Sequence, residues 1–295
     1  MPLMAHHASG SWLLPVPLTL LLFVIAFVYL RGLRSSGRAS RRELPPWRIA
    51  SFLLGLALTG IASVSPLAEL DHRFLTAHMI QHLLLLTIAP ALILLGDPVR
   101  SLSRGLPQGS AQEALGTLFR SPPFQQLGGL LANPVVCWLA AAATLIVWHV
   151  PPIFALAMQS PALHIVEQLT FLAAGLMFWW PVIQPWPSVP IWPRWPILLY
   201  LFLATIPCDI LSAYLTFCET VVYRNYLGLP GATETSVLRD QELAGSLMWT
   251  CVTILYLVPA ALLTVRLLEK SSGGLLASAG KVEPNRSSSD SSRTA

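Results

Sequence analysis

The stretch His78-Met-Ile-Gln-His82-Leu-Leu-Leu-Leu-Thr-Ile-Ala-Pro90-Ala-Leu-Ile-Leu-Leu95 opens with two histidines and continues as an almost unbroken apolar run. About 20 such residues cross the hydrocarbon core of a bilayer as a helix, so the stretch reads as a membrane span with imidazoles at its mouth. Histidines are costly in hydrocarbon unless a partner, a metal or a water-filled cavity compensates them. At i and i+4 the two share one helix face, with Cβ atoms about 5–6 Å apart, a spacing suited to chelating a metal.

Six further stretches of comparable length and hydropathy lie at 12–30, 48–65, 131–150, 163–183, 196–217 and 243–263. Composition agrees with them. Hydrophobic residues make up 54% of the 295 and charged residues 11%, with a mean hydropathy of +0.63. Soluble proteins carry roughly 25% charged residues. The chain therefore reads as an all-α polytopic membrane protein with seven transmembrane helices, its apolar surface covered by the lipid bilayer. A net charge of +4 gives no reason to invoke nucleic acid. Nothing basic precedes Trp12, and the first run is too long for a signal-peptide core, so it is expected to stay in the mature protein. Three regions follow: an outer N-terminal tail at 1–11, carrying Met1, Met4, His6 and His7, a transmembrane domain at 12–265, and a Ser/Gly-rich disordered cytoplasmic tail at 266–295.

Basic residues orient the spans, because Lys and Arg accumulate in cytoplasmic loops. Arg31, Arg34, Arg38, Arg41, Arg42 and Arg48 follow the first span. Arg100, Arg104 and Arg120 follow the third, Arg194 follows the fifth, and Arg266, Lys270, Lys281, Arg286 and Arg293 follow the seventh. That side holds 15 of the 18 basic residues, against Arg73, Arg224 and Arg239 on the other. The N-terminus is thus expected outside and the C-terminus in the cytoplasm. Ala111 to Arg120 reads as a short interfacial helix. The proline- and tryptophan-rich run from Pro181 to Pro196 reads as non-helical and interfacial.

With this topology His72, His78, His82, His149 and His164 gather on the outer side. His149 precedes Pro151 and Pro152, which stop its helix. Glu167 lies one turn deeper than His164, and Asp209 sits in the outer half of the sixth span. Carboxylates at such depth are rare and usually face a bundle interior. His72, in a loop, reads as an interface residue and Met248 as packing. The candidate metal ligands are His78, His82, His149, His164 and Asp209. Imidazole with carboxylate suits copper, zinc, iron or nickel, and a thioether shifts preference toward Cu(I). The outer face of a bacterial membrane favours copper. Haem between histidines, paired as His78/His149 or His82/His164, is the alternative cofactor. A proton or metal transporter using Asp209 and Glu167 as relays is a further reading, against which the polar residues stop midway through the spans. The cysteines are scattered, with no CxxC pair, and Cys208 and Cys218 stand about 15 Å apart along a helix. No phosphate loop, nucleotide fingerprint or Ser/His/Asp order is present, so the chain reads as a non-enzyme.

The same residues carry a resemblance. The run from His78 to Pro98 resembles the signature of the CtaG family of bacterial cytochrome c oxidase assembly factors. So do Trp148-His149-Val-Pro151-Pro152-Ile-Phe154, His164-Ile-Val-Glu-Gln, Phe178-Trp179-Trp180-Pro181-Val182, Asp209 with Tyr214, and Asp240-Gln241 leading into Gly245-Ser-Leu-Met248-Trp249. The likeness covers about residues 10–265. It implies about seven spans in the bacterial cell (inner) membrane, a role in maturing a haem-copper cytochrome c oxidase, and copper delivery to that enzyme's subunits in the membrane. It carries the metal role to His78, His82, His149, His164 and Asp209.

Overall fold

A computed structural model describes residues 15–35, 45–65, 67–107, 133–183 and 195–279, with a few residues between them. The helices are α1 (Pro15–Ser35), α2 (Pro46–Val64), α3 (Leu75–Leu95), α4 (Pro98–Gly105), α5 (Pro134–Trp148), α6 (Pro151–Gln159), α7 (Pro161–Ile183), α8 (Trp195–Phe217) and α9 (Glu234–Ala279). The described residues contain no strand. Six helices are long and apolar enough to span a bilayer, and α5 with α6, bent by 76° at their junction, makes a seventh if the pair is one span. The chain is a polytopic all-α membrane protein.

Prolines and caps set most of the boundaries. Proline stands at N1 of α2, α4, α5 and α6, where its missing N–H removes no helical bond and its fixed φ suits the first turn. Asn133 caps α5 by accepting from the Val135 N–H at 2.9 Å. Thr233 and Ser236 exchange hydrogen bonds across the first turn of α9, as in a capping box. The cap of α3 comes from another helix. The Asp240 carboxylate on α9 accepts from the Leu75 N–H at 2.5 Å and from the Thr76 hydroxyl at 2.6 Å. It satisfies donors that a helix start leaves open and sets an anion at the positive end of the dipole.

α3 is the most buried span and packs on α2, α7 and α9. Its middle is a π turn, Leu84–Ile88, just before Pro90. The Thr87 hydroxyl donates back to the Leu83 carbonyl. Wider turns of this kind accommodate a proline that cannot bond one turn back. α7 closes on this turn at Gly175, where a Cβ would lie 2.5 Å from the Leu86 carbonyl oxygen and 2.6 Å from Pro90. Glycine admits that approach because it has no side chain. The larger apolar core surrounds α3 and runs through α5 to α9, including Met79, Phe154, Phe171, Phe178, Cys208 and Met248. A smaller one, Tyr29, Phe52 and Leu56, joins α1, α2 and α4.

Several expected boundaries shift. α7 continues through Pro181 to Ile183, which corrects the non-helical reading of that proline. A single proline near a helix C-terminus removes one bond without ending the last turn, and residues 184–194 lie outside the described set. Pro151 and Pro152 end α5 as expected, but they also start α6, which the sequence reading missed. α9 begins at Glu234 and runs to Ala279. Residues 266–279 are thus helical where a disordered tail was expected, because a helix already nucleated in the membrane gains one hydrogen bond for each further residue it fixes. The N-terminal tail at 1–11, residues 280–295 and most of the interfacial helix expected at 111–120 lie outside the described residues.

Candidate metal centre

The end of the bundle where α3, α7 and α9 begin and α5 ends holds a cluster of buried polar side chains. His78, His82, His149, His164, Glu167 and Asp71 are all buried, with His78, Glu167 and Asp71 at 0% exposure. His78 and His82 project from the second and third turns of α3, and their Nε2 atoms approach to 2.6 Å. One of those nitrogens must carry the proton if the contact is a hydrogen bond. Glu167 on α7 stands opposite, with Oε1 3.6 Å from His78 Nε2 and 3.4 Å from His82 Nε2. Its other oxygen, Oε2, lies 3.2 Å from His164 Nδ1. His164 Nε2 in turn lies 3.0 Å from Asp71 Oδ2. The two carboxylates thus flank the His164 ring from both sides, and of the two contacts only that with Glu167 has hydrogen-bond geometry.

Two sets of ligand atoms lie within 4.8 Å of one another: Asp71, His78 and His164, and His78, His82 and Glu167. Both depend on His78. Hydrogen bonding does not exhaust their capacity. Asp71 Oδ1 and Oδ2, His78 Nδ1, His82 Nδ1, His164 Nε2 and Glu167 Oε1 are buried without a hydrogen-bond partner. Buried polar atoms are ordinarily paired, and an orphaned group costs about 1–3 kcal/mol. Six such atoms stand together at this end of the bundle.

His149 closes α5 as its C-cap. Its Nδ1 lies 2.7 Å from the Leu145 carbonyl oxygen, and its Nε2 points at Met79 Sδ, 3.3 Å away. Its ring stands 5.6 Å from that of His82. Around the cluster, Phe171 packs edge-on against His82, with centroids 3.8 Å apart, and Phe154 against His78 at 4.9 Å. A cavity of about 40 Å³ lies below, lined among others by Met79, His82, Phe171, Cys208 and Met248.

The connection after α8 holds the lid of the site in place. The Tyr226 hydroxyl donates to the Asp71 carbonyl at 2.9 Å and the Tyr223 hydroxyl to the His149 carbonyl at 3.0 Å. Burial, reinforced by the Asp71 and Asp240 carboxylates, pushes the Tyr226 phenol well above its usual range, so it remains a donor. Gln241, beside the capping Asp240, accepts from Val222 N–H at 2.8 Å and reaches the Leu215 and Thr220 carbonyls at 3.3 Å.

The structure brings four of the five expected ligands, His78, His82, His149 and His164, to one place. Asp209 is half-buried on α8, and like His149 it belongs to neither set of close ligand atoms. Its Oδ1 is a buried atom without a hydrogen-bond partner. Glu167, set aside from the ligand list on sequence grounds, is central. His72 is half-exposed at the rim, its Nε2 3.7 Å from Asp71 Oδ1 and its ring 5.4 Å from that of His164. Asp71 was missed. In sequence it is one acid in a short connection; only the turn Leu67–Leu70 ahead of it and Tyr226 above it bury the residue.

These features define a class of multi-span helical membrane protein with a buried imidazole–carboxylate cluster at one end of the bundle. Within that class the chain belongs to the cytochrome c oxidase caa3 assembly factor (Caa3_CtaG) family, whose sequence model matches residues 27–270. Among curated proteins it is similar to uncharacterized proteins of Mycobacterium bovis and Mycobacterium tuberculosis, each 25% identical over 250 residues. Those matches cover 82% of this chain and 37% of each relative, so the chain spans little more than a third of their length. No solved structure matches it.

Proposed function

We propose that this chain is a non-enzymatic assembly factor that holds copper in the membrane and passes it to a subunit of a haem-copper oxidase. The family supports the assembly role. The observation that supports a metal cargo is the paired ligand sets sharing His78, with their unpartnered nitrogens and oxygens. The 3.4 and 3.6 Å separations from Glu167 to His82 and His78 are close to the roughly 3.3 Å edge of a tetrahedron with bonds of about 2.0–2.1 Å, and the 2.6 Å between the two imidazole Nε2 atoms would have to widen on binding. Neutral imidazoles with the two carboxylates of Asp71 and Glu167 carry a charge that metal cations offset, and an uncompensated charge at this depth would be costly.

The cluster faces the outer side in this reading. The far ends of α1 and α3 meet Arg31, Arg34, Arg48, Arg100 and Arg104, whereas the cluster end carries only Arg73, Arg224 and Arg239. Haem ligation draws less support, since the imidazoles pack against one another and against Phe154 and Phe171, and the adjoining cavity is about 40 Å³. A transporter draws less still, because the close ligand sets stop at Glu167 and His82 and leave Asp209 aside.

A cell lacking the gene, complemented with variants, tests the role. Wild type and Asp209→Asn are expected to restore a copper-loaded oxidase, while Asp71→Asn and Glu167→Gln leave the oxidase assembled without its full copper. Full copper in the oxidase with both carboxylates replaced would overturn the proposal.

A further inference from the structure

His149 and Met79 present a chemical mismatch that the copper reading alone does not explain. The Leu145 carbonyl, 2.7 Å from His149 Nδ1, is only an acceptor, so Nδ1 must carry the proton. In the neutral ring Nε2 then bears a lone pair, and it points at the thioether of Met79, 3.3 Å away. Thioether sulfur is itself an acceptor. Two acceptors therefore face each other in a buried, largely apolar setting, with Met79 at 0% and His149 at 5% exposure. The alternative, an imidazolium whose only side-chain partner is a thioether, places a charge where hydrocarbon surrounds it. A soft cation between the two atoms satisfies both.

We infer that Met79 Sδ and His149 Nε2 form a soft subsite selective for Cu(I), next to the harder set of Asp71, Glu167 and the remaining histidines. The inference rests on the proposed copper role and assigns it an oxidation state and a selectivity. Met79 stands on α3 between His78 and His82, and its thioether borders a cavity that His82, Met248 and Cys208 also line. Imidazole–carboxylate sets accept Zn(II) as readily as copper, whereas a thioether favours Cu(I). The subsite would thus add a preference for Cu(I) over Zn(II) to the neighbouring imidazole–carboxylate set. No electron transfer is involved, since copper enters and leaves as Cu(I).

The test uses the full chain in detergent, stripped of metal, titrated separately with Cu(I) under anaerobic conditions and with Zn(II). Met79→Leu, a near volume-conserving swap that leaves the core filled, is expected to weaken Cu(I) binding at least the about tenfold that even an outer-shell change costs a metal site. Its Zn(II) affinity should stay within about twofold. A sulfur scatterer in the copper X-ray absorption spectrum should disappear in Met79→Leu and persist in Met248→Leu. Unchanged Cu(I) affinity in Met79→Leu, or loss of the sulfur signal only in Met248→Leu, would overturn the subsite and leave the copper role standing. Absence of tight Cu(I) binding in the wild type would overturn both.

Discussion

The two ends of α3 are built on opposite principles. At its C-terminal end, helices meet through backbone. A Cβ on Gly32 of α1 would lie 1.9 Å from the Ser101 carbonyl oxygen on α4, and one on Gly105 would lie 1.9 Å from that of Val28. Tyr29 stacks on Phe52, with centroids 3.9 Å apart, and donates to the Gly96 carbonyl at 2.8 Å. Asp97, in the left-handed region at φ 51°, turns the chain from α3 into α4. At its N-terminal end the helices meet through side chains, and those side chains keep lone pairs and protons unmatched. Small residues at close crossings are what drive helix association in lipid, where no hydrophobic force separates helix from acyl chain. One end of the span thus serves packing, and the other gives up packing economy to hold charge, as functional sites commonly do.

Substitutions at the two ends should therefore separate folding from metal content. The largest effect on folding is expected from Gly105→Ala. Overpacking a close crossing ordinarily costs about 1–3 kcal/mol, and a 1.9 Å approach to backbone leaves no side chain to move aside. Thermal unfolding of the detergent-purified protein should show a lower midpoint and a reduced yield, with metal content per folded chain unchanged. An undiminished midpoint would show that α1 and α4 are not locked as described.

An intermediate case links the two ends of the comparison. Asp240→Ala removes the cap of α3, which costs about 0.5–2 kcal/mol, and loosens the turn that aims His78 and His82. It should lower both the unfolding midpoint and the metal affinity, and a change in only one would separate cap from site. The smallest effect belongs to Tyr226→Phe. It deletes one hydrogen bond to the Asp71 carbonyl, worth about 1 kcal/mol, and should move the midpoint slightly while leaving the ligand atoms in place.

Much of this was legible in sequence because the bilayer imposes simple rules. The seven apolar runs follow from span length, and the helix starts at Pro46, Pro134, Pro151 and Pro161 follow from proline chemistry. The histidine cluster followed from depth alone: His78, His82, His149 and His164 sit at one end of their helices, and topology puts those ends together. Depth does not say which face of a helix a residue occupies relative to its neighbours, so it could not tell which of these residues lie in ligand contact. Asp209 shares the depth of the cluster on α8, which packs on α9 and α5, and its Oδ1 is buried without a hydrogen-bond partner. Asp71 was illegible for the opposite reason. It lies in a connection, outside any periodic pattern, and is buried among partners distant in sequence: Tyr226, 155 residues later, donates to its carbonyl, and His164 stands 3.0 Å from its carboxylate. The tautomer of His149 likewise depends on a carbonyl one turn back and on a sulfur 70 positions away.

The most direct measurement is the copper content of the protein purified from cells grown with ample copper, compared with His78→Ala/His82→Ala prepared identically. Copper is expected in the wild type and should be lost from the double variant, which removes His78 from both ligand sets while its helical content and elution volume stay the same. A wild type free of copper, or a double variant retaining the wild-type content, would contradict a copper site at this cluster.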